Sequence, residues 1–366
     1  MLFPYTYVNH DMEKMQAYID YIFFEVWCKA VSQEYDISLF DGKPELKKII
    51  EAYFYSEKKG WGNFFISKIQ EIYEIFKDLT PEQIQKLKSW YRANNDIETL
   101  CANHSQVIPV RYEELESYNY NLSLALKAFF KELYSDKILA LKAISSKIGK
   151  INEHYKKFMD INNTGICPFC GLADIEAADS SIREAYDHYI PKSIYPFNSI
   201  NFKNLSPMCH KCNSSYKTTK DPLYEKDSSK RRKAFYSYMT GHPDLKIELQ
   251  FENKDIEQLT NDDIELVISS KNHPEEVDTW MDVFDIEKRY KSKCTHETNG
   301  SKYWLTQIIE ESQNVGITPE KMLSVKMMTA EKYPYTEVNF LRKPFLETCE
   351  KLGLFTEFET GKSKKS

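Results

Sequence analysis

Long apolar runs are missing from this sequence of 366 residues. No stretch approaches the roughly 18 consecutive apolar residues that a membrane-spanning helix needs, so we expect no membrane span. The first residues also lack the basic region and the small-residue cleavage site of a signal peptide. These absences predict a cytoplasmic protein with no membrane partner.

Two widespread enzyme motifs are absent as well. The chain has no G-x-x-x-x-G-K phosphate loop, which excludes ATP hydrolysis by that route, and it has no H-E-x-x-H metal motif. Cysteine is scarce, because 8 residues are too few for a disulfide scaffold in a chain of this length. The cysteines that are present therefore need an explanation other than disulfides.

Positive charge is not in excess over the whole chain, but it is concentrated in one segment. The formal net charge is −6, whereas the segment from Lys192 to Lys233 contains ten Lys or Arg residues and three acidic residues. We call this stretch the basic segment. It is either a solvated face or a surface for nucleic acid. Hydrophobic residues at 42% and aromatic residues at 14% indicate a substantial core around it.

Helical spacing dominates the first part of the chain, residues 1–160. Thr80-Pro-Glu-Gln83 has the N-cap, the first-turn proline and the capping-box glutamine of a helix start. A long helical run from Leu122 to Phe158 is interrupted near Ser135 and Asp136. Aromatic residues on these faces are expected to pack in the core rather than to bind a ligand.

The remaining chain divides into three further parts. Residues 161–235 form a central module, and residues 236–359 form an α/β region that ends in a disordered tail, residues 360–366. In the α/β region, Lys246 to Phe251 and Ile264 to Ser269 alternate like strands, and helical spacing resumes after Glu275. The predicted fold class is therefore α+β and mostly α.

Four of the eight cysteines form two C-x-x-C pairs, Cys167/Cys170 and Cys209/Cys212, separated by 38 residues. Four thiolates complete a tetrahedral zinc site with no open position, so the predicted Zn²⁺ is structural. Gly171 follows the first pair, as a tight knuckle often requires. The alternatives are a redox dithiol or a coincidence of four reduced thiols. The other cysteines are predicted to be buried thiols, namely Cys28, Cys101, Cys294 and Cys349.

Polar side chains suited to phosphodiester hydrolysis lie between the two pairs and just after the second. His188 has an ordinary pKa near neutrality, which suits a general base. Asp187 and Asn213 offer the hard oxygen ligands that Mg²⁺ prefers. Neighbouring side chains on a strand point to opposite faces, so Asp187 and His188 need a local bend to serve one site. Lys217 lies four residues after Asn213, on the same face of a helix, and is a candidate for contact with a substrate phosphate.

The order of these motifs resembles the HNH, or ββα-metal, endonuclease family over about 50 residues. The shared features are the first C-x-x-C, Asp187-His188 on a strand, Pro191, Asn204-Leu205, the second C-x-x-C and Asn213 directly after it. The resemblance implies a zinc-bound, treble-clef-like module. It further implies that Asp187 and Asn213 hold one catalytic Mg²⁺ or Mn²⁺, that His188 deprotonates the attacking water, and that Asn204 tethers the loop and orients His188.

The expected substrate is nucleic acid, with DNA favoured over RNA. The candidate contacts are six basic residues: Lys192, Lys217, Lys220, Arg231, Arg232 and Lys233. The sequence of the module is also similar to that of HNH proteins of bacterial anti-phage operons. Septu-type systems are one example, in which the nuclease pairs with a separate ATPase. Two alternatives stay open. One is a solitary restriction-like or homing-like nuclease, and the other is a zinc-stapled module that binds nucleic acid or protein without cutting it.

Overall fold

A computed structural model describes residues 1–54, 60–296 and 300–355. The chain forms two compact units. The first, called here the helical unit, comprises Pro4–Gly165 and Ile175–Thr240. The second, called the C-terminal unit, comprises Met1–Phe3, Ile166–Asp174 and the described part of 241–366. Helices predominate and the sheets are small and antiparallel, so the predicted mostly helical α+β class is confirmed.

The first part of the helical unit is largely α-helical within the described residues, with π- and 3-10-helical segments between the first two α-helices. The α-helices are α1 (Lys14–Tyr21), α2 (Pro44–Phe54), α3 (Trp61–Lys77), α4 (Pro81–Asn95), α5 (Ile97–Cys101), α6 (Tyr112–Tyr118), α7 (Tyr120–Leu133), α8 (Asp136–Leu139), α9 (Lys142–Ile148) and α10 (Ile151–Ile161). Thr80 and Gln83 form the predicted capping box at the start of α4. The predicted interruption near Ser135 and Asp136 is also present, because α7 ends at Leu133 and α8 begins two residues after Tyr134.

Aromatic side chains form much of the core of the helical unit. The rings of Phe23 and Tyr91 stack with their centroids 4.0 Å apart, and Phe197 packs against both. The Trp27 indole is fully buried and donates a hydrogen bond to the Ile69 carbonyl over 2.9 Å. A buried indole needs such a partner for its N–H group. These aromatic residues are therefore core residues, as the sequence predicts, whereas Trp61 and Tyr120 are exposed.

A short hairpin and a helical turn complete the helical unit. Strand β1 (Ala185–His188) pairs antiparallel with β2 (Leu205–Met208), and Asp187 lies opposite Ser206. The turn after β2, Cys212–Lys217, is π-helical, with the Thr218 amide bonding to the Asn213 carbonyl over 3.0 Å. The α-helical spacing expected here was wrong. The wider π-helical turn closes its bond after five residues instead of four, and such turns are common at functional sites.

Within the described residues, the C-terminal unit contains the second hairpin and five α-helices. Strand β3 (Leu245–Gln250) pairs antiparallel with β4 (Glu265–Ser270), within one residue of the predicted strand bounds. The helices are α11 (Pro274–Phe284), α12 (Ile286–Cys294), α13 (Ser301–Val315), α14 (Pro319–Lys332) and α15 (Asn339–Lys351). The Phe251 and Phe345 rings stack beside this sheet, with their centroids 5.0 Å apart.

Within the residues that the structure describes, no helix has the combined length and apolar character that a bilayer crossing requires. The predicted polar tail, residues 360–366, lies outside the described residues.

Candidate metal and catalytic site

The four paired cysteines come together. The Sγ atoms of Cys167, Cys170, Cys209 and Cys212 all lie within 4.8 Å of one another, and all four residues are buried. Tetrahedral zinc with Zn–S bonds of about 2.3 Å separates its sulfurs by roughly 3.8 Å, so a small contraction around the ion would complete the site. The cluster has the ligand type, number and proximity of a structural zinc site.

Backbone geometry explains why the first pair forms a tight knuckle. The Gly171 amide donates to the Cys167 carbonyl over 2.7 Å, and the Cys167 amide donates to the Ala173 carbonyl over 2.9 Å. Gly171 has a φ of +66°, and a Cβ atom there would lie 2.3 Å from Leu2 Cδ1. Any side chain at this position would therefore be both strained and overlapping.

Two aromatic residues of the C-terminal unit hold the same knuckle. The Trp280 indole donates to the Phe169 carbonyl over 2.8 Å, and the Tyr290 hydroxyl donates to the Cys170 carbonyl over 3.0 Å. Both side chains are buried. They satisfy carbonyl groups that the turn leaves without a helical or strand partner. Trp280 and Tyr290 therefore support the cysteine cluster structurally.

A buried ion pair lies beside β1. Lys217 Nζ is 2.8 Å from Asp187 Oδ2, and the two side chains are 0% and 6% exposed. The same ammonium donates to the His188 carbonyl over 2.9 Å. Burial raises the pKa of Asp187, while the nearby Lys217 charge acts in the opposite direction. The π-helical turn thus binds both residues of the Asp-His pair, one through its side chain and the other through its main chain.

The His188 ring is oriented by two neighbours. Its Nε2 lies 2.8 Å from the Ser199 carbonyl, and the Tyr134 ring meets it edge to face with the centroids 4.9 Å apart. A carbonyl oxygen only accepts hydrogen bonds, so Nε2 carries the proton and Nδ1 keeps its lone pair. Burial lowers the pKa of His188 to about 3, and the Lys192 charge contributes in the same direction. The imidazole is therefore neutral at neutral pH and able to accept a proton at Nδ1.

Asn204 fastens the loop that leaves β1. Its side-chain oxygen accepts from the Ile190 amide over 2.8 Å, and its side-chain nitrogen donates to the Ile190 carbonyl over 2.9 Å. The Asn204 main-chain carbonyl also accepts from the Tyr189 amide. Asn204 is only 1% exposed. These bonds fix the chain directly after His188, which is the geometry that the predicted tethering role requires.

Asn213 lies at the start of the π-helical turn that also carries Lys217. Its side chain is partly exposed, and its amide donates to the Cys209 carbonyl over 3.0 Å. Four residues make slightly less than one π-helical turn, so Asn213 and Lys217 project from similar faces. The hairpin and the turn therefore assemble Asp187, His188 and Lys217 by direct contact, and Asn213 shares the Lys217 element.

Three cations of the basic segment are hydrogen-bonded to main-chain carbonyls within the helical unit. The Arg231 guanidinium donates to the Val107 carbonyl over 2.8 Å, and Arg232 donates to the Asp221 carbonyl over 2.9 Å. Lys192 lies within 3.2 Å of the Lys131 carbonyl, and burial lowers its pKa. Arg231 and Arg232 thus bond to loop carbonyls, and Lys192 bonds to the last turn of α7. Lys220 and Lys233 are exposed, and the nucleic-acid contacts of all these residues stay a prediction.

Three residues at this site carry no motif in the sequence. Tyr134 was marked only by the helix interruption at Ser135, and the Ser199 carbonyl has no side-chain signature. Arg183 lines a cavity of about 190 Å³ together with Tyr134 and Tyr186, and it donates to Asn152 Oδ1 over 2.9 Å. Arg183 and Tyr134 thus line the same cavity, and the Tyr134 ring packs on His188. Only the tertiary structure reveals that connection.

Comparisons with known proteins add no relative. No protein-family model matches the chain, and neither a search of curated proteins nor a search of solved structures found a match.

Proposed function

We propose that this protein is a metal-dependent HNH-type endonuclease that hydrolyses phosphodiester bonds in nucleic acid. The observation that carries the proposal is the state of His188. Its Nε2–H group is committed to the Ser199 carbonyl, and its Nδ1 lone pair is left for a proton, next to a buried carboxylate on the same strand. The antiparallel β1–β2 hairpin followed by a helical turn supports the proposal, because it agrees with the ββα arrangement that the HNH resemblance implies.

His188 acts as the general base in this proposal. It is neutral at neutral pH, and its ring cannot rotate without losing the Ser199 bond and the Tyr134 contact. A base held in one orientation lowers the entropic cost of reaching the transition state. A substrate phosphate beside the ring would raise the pKa of His188 towards neutrality, because a nearby negative charge favours the imidazolium. Substrate binding would therefore strengthen the base.

The donor groups fit a divalent cation. Asp187 and Asn213 supply a carboxylate and an amide oxygen, which are ligands suited to Mg²⁺ or Mn²⁺. The Asp187 carboxylate already has a cationic group 2.8 Å away, so positive charge is accommodated at this point of the fold. A bound divalent ion would supply charge stabilisation at the scissile phosphate and at the leaving oxygen. Asn204 would keep the loop after His188 in place during that step.

The substrate and context are further parts of the proposal. We favour DNA over RNA, a role in bacterial anti-phage defence and a separate ATPase subunit as partner. Support for nucleic acid comes from the exposed cations Lys220 and Lys233 and from Arg183 beside Tyr134. Phosphate contacts of this kind position a nucleic acid without reading its sequence.

One observation favours a second candidate, a zinc-stapled module that binds without cutting. Lys217 neutralises Asp187 inside the protein, so the carboxylate does not stand open to a metal ion in this arrangement. A binding module needs only the cysteine cluster and a cationic surface. The two candidates differ in whether His188 affects a chemical step.

Cleavage assays distinguish the two candidates. Zinc-loaded protein is incubated with plasmid DNA and with RNA, with Mg²⁺ or Mn²⁺ added or withheld. We expect metal-dependent cutting that falls by roughly 100-fold to 10,000-fold in His188→Ala, the usual contribution of a general base. Zinc content and substrate binding should be unchanged. His242→Ala, at an exposed histidine of the C-terminal unit, is the matched control and should cut normally. Equal cutting by His188→Ala and the parent would sink the nuclease proposal.

A further inference from the structure

Lys217 is bound where the proposed catalytic cation would be needed. Its ammonium has two oxygen partners, Asp187 Oδ2 at 2.8 Å and the His188 carbonyl at 2.9 Å. The Lys217 side chain is 0% exposed. A flexible surface lysine would not be held in this way, because ordering and desolvating it are both unfavourable without close partners. The fold therefore builds a specific position for one positive charge against Asp187.

The charge balance of this position does not allow a second cation beside the first. Asp187 is the single carboxylate in contact with the Lys217 ammonium among the described residues, and the expected metal ligand Asn213 is neutral. Lys192 also faces His188 and adds further positive charge. A divalent ion next to a retained ammonium would leave a large uncompensated charge in a poorly solvated place.

We propose that Lys217 is an internal counter-cation that must leave Asp187 before a divalent ion can bind there, so that the resting site inhibits itself. This inference rests on the proposed function, because it assumes a divalent ion at Asp187. The protein binds metal only in the fraction of molecules in which Lys217 has moved away, and the apparent affinity is reduced by that fraction. The released ammonium becomes available to a substrate phosphate, which is the contact that the sequence predicts for Lys217.

Metal affinity gives the first test. Mn²⁺ is titrated into zinc-loaded protein, and free Mn²⁺ is followed by electron paramagnetic resonance. Lys217→Met removes the charge and keeps an unbranched side chain, so the dissociation constant for Mn²⁺ should fall by roughly tenfold or more. Lys203→Met, at an exposed lysine in the turn before β2, is the matched control and should bind Mn²⁺ as the parent does. Zinc content and thermal unfolding check that each variant is folded.

Chemical labelling of the unaltered protein gives the second test, which does not depend on a variant folding. Lysines are acetylated with a limiting amount of acetic anhydride, and Lys217 is followed by mass spectrometry. We expect Lys217 to be protected without Mn²⁺ and labelled at least several-fold faster with saturating Mn²⁺. Lys203 should react equally in both conditions. In Asp187→Asn, Lys217 should react without any added metal, because its charged partner is gone.

The outcomes separate this inference from the proposed function. If Mn²⁺ binds at Asp187 while Lys217 stays protected, and Lys217→Met does not change the affinity, the counter-cation role is wrong and the metal site stands. If neither the parent nor Lys217→Met binds Mn²⁺ at millimolar concentration, the divalent site itself is wrong. The proposed replacement of Lys217 by a metal ion at Asp187 is then wrong as well.

Discussion

The two hairpins of this protein carry similar ion pairs in opposite environments. Beside β1–β2, Asp187 and Lys217 lie 2.8 Å apart and are 6% and 0% exposed. On β3, Lys246 and Glu248 lie 2.9 Å apart and are 69% and 45% exposed. The chemistry and the separation are nearly equal, so burial is the difference. Water and salt screen the second pair, whereas the first depends on its partners within the protein.

The strand patterns differ in the same way. In β4, exposed and buried side chains alternate strictly, as expected for a sheet with one face in the core and one in water. All four residues of β2 are buried, and the buried Asp187 of β1 lies opposite Ser206 of that strand. Burying a charged group is unfavourable unless it is paired and hydrogen-bonded, as Asp187 is with Lys217. The two hairpins therefore differ in that β1–β2 buries a charged pair, whereas β3–β4 leaves its charged pair in solvent.

The largest expected effect comes from removing the zinc ligands that follow β2. Cys212→Ser should lose the roughly one zinc per chain and unfold the module, because structural zinc contributes on the order of 10 kcal/mol to folding. Metal analysis and circular dichroism measure both consequences. Cys28→Ser, at a buried cysteine outside the cluster, is the control and should retain zinc. A folded, reduced protein that never contains zinc would contradict the assignment.

Breaking the two ion pairs should lower the free energy of unfolding by unequal amounts. Asp187→Leu leaves Lys217 buried without its partner, so the free energy of unfolding should fall by about 3–5 kcal/mol. Adding Lys217→Met should recover much of that loss. The matching change Glu248→Leu on β3 should cost less than about 1 kcal/mol. Urea denaturation of the three variants and the parent measures these values, and equal losses in the two hairpins would show that burial does not separate the two ion pairs.

Acid should weaken the packing of β1 through His154. This histidine of α10 is 2% exposed and hydrogen-bonds with Tyr186 of β1, and burial lowers its pKa from 6.5 to about 4. Between these two values the unfolded chain binds a proton that the folded protein does not, so stability rises with pH in this window and is lost as pH falls. From pH 7.5 to pH 5, His154 should account for a loss of about 2 kcal/mol.

The variant His154→Gln isolates that contribution. Its free energy of unfolding should depend less on pH than that of the parent over the same range, because glutamine does not titrate. Denaturation at pH 7.5, 6 and 5 gives the two slopes. Parallel slopes would mean that His154 is protonated in the folded protein, contrary to its buried position.

The smallest effect is expected on the outer face of β4. Val267 is 41% exposed, so Val267→Thr should change the free energy of unfolding by less than about 0.5 kcal/mol. Ile268 is its buried neighbour, and Ile268→Val should lower the free energy of unfolding by roughly 1 kcal/mol because packing contacts are lost. Thermal unfolding of the two variants compares the two faces of one strand. A larger loss of stability in Val267→Thr would indicate that this face of β4 is covered in solution.

Several elements of this protein could be predicted from local signals. The capping box at Thr80 and the alternating strands of the second hairpin depend on neighbouring residues, and the structure confirms them. The approach of the two cysteine pairs was predictable from residue type and spacing, since few other arrangements explain four paired thiols. The π-helical turn was not predictable, because its extra residue per turn has no sequence signature comparable to a cap.

The sequence by itself therefore determined the mostly helical α+β class, the cysteine cluster and the identity of the polar residues around Asp187 and His188. Only the tertiary structure decided how those residues are used. It binds Lys217 to Asp187 and turns Arg231 and Arg232 towards loop carbonyls. It also sets the His188 tautomer through the Ser199 carbonyl and packs the His188 ring against Tyr134. The physical reason is that caps, alternation and ligand spacing are local along the chain. Burial and partner choice instead depend on groups brought together from distant segments, as Tyr134 and His188 are.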